Sequence, residues 1–221
     1  MQIRTLVLTA ALTGLMATAA SAQDSAIAVD VHGGTTGIGI GARYQVSDSI
    51  VLRADYDTLK HSDDFSSDGV NYNGEVEFKP FTFAVNAHPF KNSFFVSAGY
   101  VMGDRNIKLD ARPAGPTQVG SVTYQPGEIG TLRANADMGD GAPFIGLGFD
   151  NTFHSNNRIT FRFLAGAVLG DEPSVTLTSD GSLATNAAYK TQLEIERKEL
   201  EQDVKDVKTW PVLQLGLSYK F

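Results

Sequence analysis

Apolar residues recur at every second position over much of the chain, which is the period of a β-strand. Ile38, Ile40, Ala42, Tyr44 and Val46 alternate with Gly37, Gly39, Gly41, Arg43 and Gln45. After Ser47-Asp48-Ser49 the alternation resumes, with Ile50, Leu52, Ala54 and Tyr56 set against Val51, Arg53, Asp55 and Asp57. Two such runs across a tight polar turn predict a β-hairpin. The unit recurs. Phe81, Phe83, Val85 and Ala87 lead into a turn at residues 89–92, and the chain returns through Phe94, Val96, Ala98, Tyr100 and Met102. Ile145, Leu147 and Phe149 precede a turn at 151–157, followed by Ile159, Phe161, Phe163, Ala165, Ala167 and Leu169. Leu213, Leu215, Leu217, Tyr219 and Phe221 form the last alternating run.

Short and long connections alternate along the chain. Those near residues 47–49, 89–93 and 151–157 are short, whereas those near 60–73, 112–130 and 179–208 are long and polar. One trimmed end and one elaborate end is the plan of an up-and-down barrel with short periplasmic turns and long external loops. Ile27, Val29 and Val31 supply an outgoing first strand, joined to the next by a short external turn at residues 33–36. The predicted fold is therefore all-β: an eight-stranded antiparallel up-and-down barrel that crosses a membrane. Two strands break parity. Val76 and Phe78 are even-numbered but Phe81 and Phe83 odd; Leu132, Ala134 and Ala136 are even but Ile145 and Leu147 odd. A bulge, or the edge of the bilayer, is expected near Pro80 and near residues 139–143.

Alternation alone would also fit a soluble barrel with a greasy interior. The face opposite the apolar one decides: it carries Asp30, Arg43, Arg53, Asp55, Arg162, Gln214 and Lys220, with many glycines. An eight-stranded barrel is just wide enough for side chains to fill. Arg and Asp crowded there can pair, as buried charges must. Hydrocarbon would penalise a cation on the outer face by roughly 2–4 kcal/mol at midplane. Charges therefore point inward and the apolar set outward. Tyr44, Phe94, Phe149, Tyr219 and Phe221 lie toward the short-turn end, where an aromatic girdle belongs.

The start of the chain reads as a secretory signal peptide over residues 1–22: Arg4, a threonine-diluted apolar run, then Ala20-Ser21-Ala22. Its apolar run is shorter than the roughly 18–20 residues of a spanning helix. Residues 23–221 then form a single barrel domain. The chain has no cysteine, so disulfides and thiolate chemistry are excluded. The formal charge of −7 becomes −8 once Arg4 is removed, an acidic balance that argues against nucleic acid as a partner.

The ending Leu213-x-Leu215-x-Leu217-x-Tyr219-x-Phe221, closing on a terminal phenylalanine, resembles that of the small outer-membrane barrels of Gram-negative bacteria. That group includes the transmembrane domain of OmpA and the OmpW and CarO relatives. Residues 34–41, the turn His88-Pro89-Phe90 and the ending Leu-Gly-Leu-Ser-Tyr-Lys-Phe are similar to an uncharacterised proteobacterial family of such barrels. The resemblance covers most of residues 26–221 and implies the fold and an outer-membrane location. It also implies that Leu215, Leu217, Tyr219 and Phe221 form a signal read by the barrel assembly machinery. It carries no established activity.

Residues 187–208 break the alternation. Tyr189, Leu193, Leu200, Val204 and Val207 fall at helical spacing among charged residues, and Glu194–Lys198 and Glu201–Lys205 are favourable i,i+4 pairs. An amphipathic helix of about five to six turns is expected in a helical insert at 183–208, stopped by Pro211. It either packs on neighbouring loops or serves as a partner-docking or lid helix that covers the external mouth.

No catalytic, metal or cofactor pattern is legible, and an enzyme is not expected. Gly37-x-Gly39-x-Gly41 lies within a strand and lacks phosphate-loop spacing, so these glycines make room for bulky neighbours. The four histidines are scattered, and His154-Ser155 sits in a turn with no carboxylate at a useful offset. Asp63, Asp64 and Asp68 form an acidic cluster, either merely solvated or holding a divalent cation between lipopolysaccharide phosphates. The best candidates are the inward charges Asp30, Arg43, Arg53, Asp55 and Arg162. They form either a plug of ion pairs or a charged constriction passing small solutes. The expected role is structural or interactive at the cell surface, in contact with outer-membrane lipid and lipopolysaccharide. A narrow channel for small solutes is the alternative.

Overall fold

The computed structural model describes residues 26–67 and 70–221. The signal peptide expected over 1–22, and Asp68 of the acidic cluster, lie outside the described residues. Eight strands close a barrel: β1 (Ile27–Gly34), β2 (Gly37–Ser47), β3 (Ile50–Ser67), β5 (Phe81–Ala87), β6 (Phe94–Met102), β11 (Gly141–Asp150), β12 (Ile159–Leu169) and β14 (Thr209–Lys220). All neighbours are antiparallel, and β14 pairs with β1 to close the wall, Ser218 opposite Asp30 and Gly216 opposite His32. The first hairpin is tighter than Ser47-Asp48-Ser49 suggested. Ser47 pairs with Ile50 and Gln45 with Val51, leaving Val46 as a bulge beside a two-residue turn.

The first of the three long connections is built of strands rather than a loop. The upper part of β3 continues past the barrel and pairs with β4 (Val70–Phe78), which pairs with β7 (Arg105–Pro113), then β10 (Leu132–Asp137) and β13 (Ser174–Ser179). The wall of the barrel thus rises on one side as a five-stranded sheet. Pairing runs across the expected irregularities without a slip. Tyr56 stands opposite Phe81 and Leu59 opposite Phe78; Met102 stands opposite Gly141 and Asn106 opposite Asp137. There is no bulge in these pairings near Pro80 or residues 139–143.

What changes at this level is chemistry. In β5 the buried, lumen-facing residues are Thr82, Ala84 and Asn86, with Phe81, Phe83 and Val85 exposed. In β4, on the same parity, Val76 and Phe78 face the lumen side while Glu75 and Glu77 face away and engage Lys60, Lys79 and Lys108. The apolar face is outward in the barrel and inward above it, so the rim is a polarity boundary.

A second small core sits on the lumen side of the extension. The hairpin β8 (Thr117–Val119) and β9 (Val122–Tyr124), the single turn α1 (Pro126–Ile129) and the helix α2 (Ala187–Val204) pack Val119, Ile129, Tyr189 and Leu193 together, against Leu132 and Leu177 of the sheet. Asn186 caps α2, its side chain accepting from the amides of Ala188 and Tyr189. Arg197 takes Glu194 at 2.8 Å and Glu201 at 2.9 Å, whereas Lys198 stands 3.9 Å from Glu194. The expected Glu201–Lys205 pair does not form, because the planar guanidinium of Arg197 reaches both carboxylates and occupies Glu201. Pro211 does not stop the helix either: α2 ends at Val204, and Pro211 lies inside β14 opposite Ala167. This second core shares no residue with the apolar cluster inside the barrel. Tyr189→Ala, which removes the edge-on contact with Tyr124 at 4.9 Å, should therefore loosen the loop module alone. We expect a local loss of about 3–5 kcal/mol, the range for a large buried aromatic. Limited proteolysis should then cut residues 114–131 and 180–208 while the barrel fragment survives.

Candidate functional site

The candidate site is the interior of the barrel. Alternation sends every second side chain of each strand to the axis, and the sequence loads those positions with ionisable groups. Asp30, Arg43, Arg53, Asp55 and Arg162 are all buried there. Arg43 and Arg53 are register partners across β2 and β3, as the hairpin requires, so each needs a carboxylate. Arg43 lies 2.7 Å from Asp30 and 3.2 Å from Asp150, and Arg53 lies 2.7 Å from Asp55. Arg162, fully buried, reaches Asp30 at 3.3 Å and donates to Gln214 at 3.2 Å.

Three members of this network were not singled out from sequence: His32, Asp57 and Asp150. All three stand on the inward parity, which was the signal available. His32 bridges two carboxylates, Nδ1 2.8 Å from Asp30 and Nε2 3.0 Å from Asp57. Asp57 also accepts from Thr36 at 2.8 Å and from Gln214 at 3.2 Å. Asp30 is the hub, in contact with Arg43, Arg162 and His32. Asp30, His32 and Asp55 lie close enough together to suggest a metal site. Their oxygen and nitrogen atoms already face three guanidinium groups, an environment hostile to a cation.

The glycines of β2 are what admit this cluster. A Cβ on Gly41 would overlap the carboxylates of Asp30 and Asp55, and one on Gly39 would meet His32 and Asp57. Gly41→Ala should cost about 1–3 kcal/mol through overpacking. Gly33→Ala, whose new Cβ would have only one backbone oxygen at 3.8 Å, should be nearly neutral. The difference is readable as urea midpoints of the refolded proteins in detergent.

Lumen groups change character along the axis. On β5, β6, β11 and β12 an apolar cluster stands beside the inward polar groups, with Phe95, Phe144 and Leu164 fully or almost fully buried. Phe144 lies under Arg53, ring centroid to guanidinium carbon 5.3 Å. At the rim, Phe78 and Trp210 meet edge-on at 4.6 Å, and Arg105 donates to the carbonyls of Met138 and Gly139. These three line a cavity toward the long-loop end. Its volume is about 30 Å³, room for little more than a water molecule.

The remaining sequence candidates lie elsewhere. The His154 ring lies against that of His88, tilted by 35° with centroids 4.6 Å apart, at the short-turn end. The Ser155 carbonyl accepts from Lys220. Asp64 accepts from Asn73 at 2.6 Å on the outer face of the extension. Leu215, Leu217 and Tyr219 are exposed along the outside of β14, and the Tyr219 and Phe221 rings meet edge-on at 5.3 Å.

No protein-family model matches this chain, and no curated protein sequence matches it. Its fold does match solved structures. The CarO2 protein of Acinetobacter baumannii superposes with a TM-score of 0.61 at 23% identity, covering 88% of this chain and 98% of that one. CarO of the same organism gives a TM-score of 0.58 at 21% identity, covering 91% and 100%. The chain thus has the closed-barrel architecture of outer-membrane proteins of the CarO type.

Proposed function

We propose that this chain is an integral outer-membrane barrel with a sealed lumen, serving a structural or surface-interaction role rather than catalysing a reaction. The polarity inversion at the rim carries this reading. Below it the outer surface is apolar, with Ile38 74%, Ile40 55% and Leu215 54% exposed. A water-soluble protein would bury such a belt. Above it the outer surface bears Lys60, Glu75, Glu77 and Lys108, as expected where a strand leaves hydrocarbon. On this reading the belt contacts lipid, the extension with its helix stands among the lipopolysaccharide headgroups, and the short turns face the periplasm. Leu215, Leu217, Tyr219 and Phe221 are the segment offered to the assembly machinery.

A second reading, a narrow charged channel, draws support from buried polar atoms without partners along the lumen, among them Asn86 Nδ2, Arg162 Nη1 and Asp57 Oδ2. A file of water would satisfy them. Liposome swelling separates the two. The sealed barrel predicts swelling in glycine or arabinose no faster than in protein-free liposomes; faster swelling favours the channel.

A further inference from the structure

The cavity beneath the mouth is unusual in what lines it. Arg53 and Arg105 both border it, together with Trp210, Phe144, Gln214 and Thr36. Arg53 is almost wholly buried, and only its Nη1 is engaged, by Asp55; Nε and Nη2 have no acceptor. The buried indole N–H of Trp210 also lacks one. Arg105 is 5% exposed, and its polar partners among the described residues are two backbone carbonyls, with no carboxylate in ion-pair range. A buried cation without a counter-charge is costly, and so is each unmet N–H. Donors and positive charge therefore gather around a hole whose lining includes no carboxylate.

We propose that this cavity binds one small inorganic monoanion of halide size. The anion supplies the counter-charge Arg105 lacks and accepts from the unmet N–H groups of Arg53 and Trp210. At about 30 Å³ the hole excludes carboxylic acids and sugars. The apolar wall of Phe144, Leu164, Val168 and Val212 suits a weakly hydrated ion such as chloride or bromide.

Trp210 is the sole tryptophan of the chain, so its fluorescence reports on this cavity. Bromide quenches indole on contact. The full chain, folded in detergent, is titrated with potassium bromide against potassium gluconate at constant ionic strength. The expected result is quenching that saturates. Arg105→Gln should weaken the saturable phase about tenfold or more, as loss of a charged hydrogen bond implies, while Arg105→Lys retains it. Heat-modifiable migration verifies that each variant is folded. Should Arg105→Gln not fold, anomalous scattering from bromide-grown crystals of the unaltered protein decides, with a peak beside Arg53 and Trp210 expected. Quenching that is linear in bromide, saturation that ignores the loss of Arg105, or no anomalous peak in the cavity would overturn the proposal.

Discussion

Ile145→Arg, on the outer face of β11, is expected to destabilise the membrane-inserted barrel by about 2–4 kcal/mol, the cost of a cation near the bilayer midplane. Ile145 lies between Ala98 and Ala167 on its neighbouring strands and is half exposed in the absence of lipid. Among the described residues, the outward positions of the neighbouring strands β6 and β12 carry no carboxylate to receive the charge. Lys108→Leu, on the outward face of β7 above the rim, exchanges polarity in the opposite sense and should change stability by less than about 1 kcal/mol. Unfolding by guanidinium in lipid vesicles, followed by gel migration without boiling, measures both. A soluble barrel would show the reverse pattern of tolerance, since an arginine at Ile145 would simply be solvated.

Asp30→Asn should be the most damaging change inside the barrel. It removes the carboxylate shared by Arg43, Arg162 and His32, leaving Arg162 without a carboxylate in ion-pair range and Arg43 with Asp150 alone. Removing one partner of a buried pair costs about 3–5 kcal/mol. The comparison is Asp48→Asn at the β2–β3 turn, where Lys91 stands 3.9 Å away and both side chains are mostly exposed. A pair of that kind contributes about 0–1 kcal/mol. Both variants retain shape and differ only in charge, so the difference in urea midpoint isolates the buried network. Equal midpoints would mean that the lumen is wet enough to solvate the arginines, which favours the channel reading. The network need not be there for stability as such: a well-packed apolar lumen could be as stable. On the sealed-barrel reading proposed above, its consequence is a lumen closed by ion pairs.

The barrel was legible because its signal is local. Side chains change face at every residue, so parity alone sorts Arg43, Arg53, Asp55 and Arg162 onto one side of the wall. The chemistry of the two sides then says which is inside. The partners were not legible, because parity gives a face and not a depth. Which residues share a level depends on how the strands stagger around the barrel, and Asp150 meeting Arg43 is a contact between β11 and β2. His32 and Asp57 fell into the same gap.

The extension was misread for a related reason. Lys60-His61-Ser62-Asp63-Asp64 looks like a polar loop, yet β3 runs through it as strand to Ser67. Once a strand clears hydrocarbon it no longer needs a greasy outer face, so the pattern that marks it in the barrel disappears. Val76 and Phe78 seemed out of phase with Phe81 and Phe83, though the chain never slips. The apolar face changes sides at the rim, so of the two readings of the parity break, a bulge or the edge of the bilayer, the unbroken pairing removes the bulge. The helix was legible from its spacing, but its end was not, since Pro211 belongs to an outward position of β14.

The central claim is that apolar residues face hydrocarbon below the rim and turn inward above it. The chain has no cysteine, so single cysteines can be placed from Phe94 through Pro113, along β6 and β7, and labelled with a nitroxide in bilayers. Relaxation by oxygen, which concentrates in hydrocarbon, is compared with relaxation by a water-soluble nickel complex. The account predicts oxygen access at Val96, Ala98 and Tyr100, low access to either reagent at Phe95 and Val101, and nickel access at Lys108 and Arg112 above the rim. Nickel access at Val96, Ala98 and Tyr100 equal to that at Lys108 would contradict it.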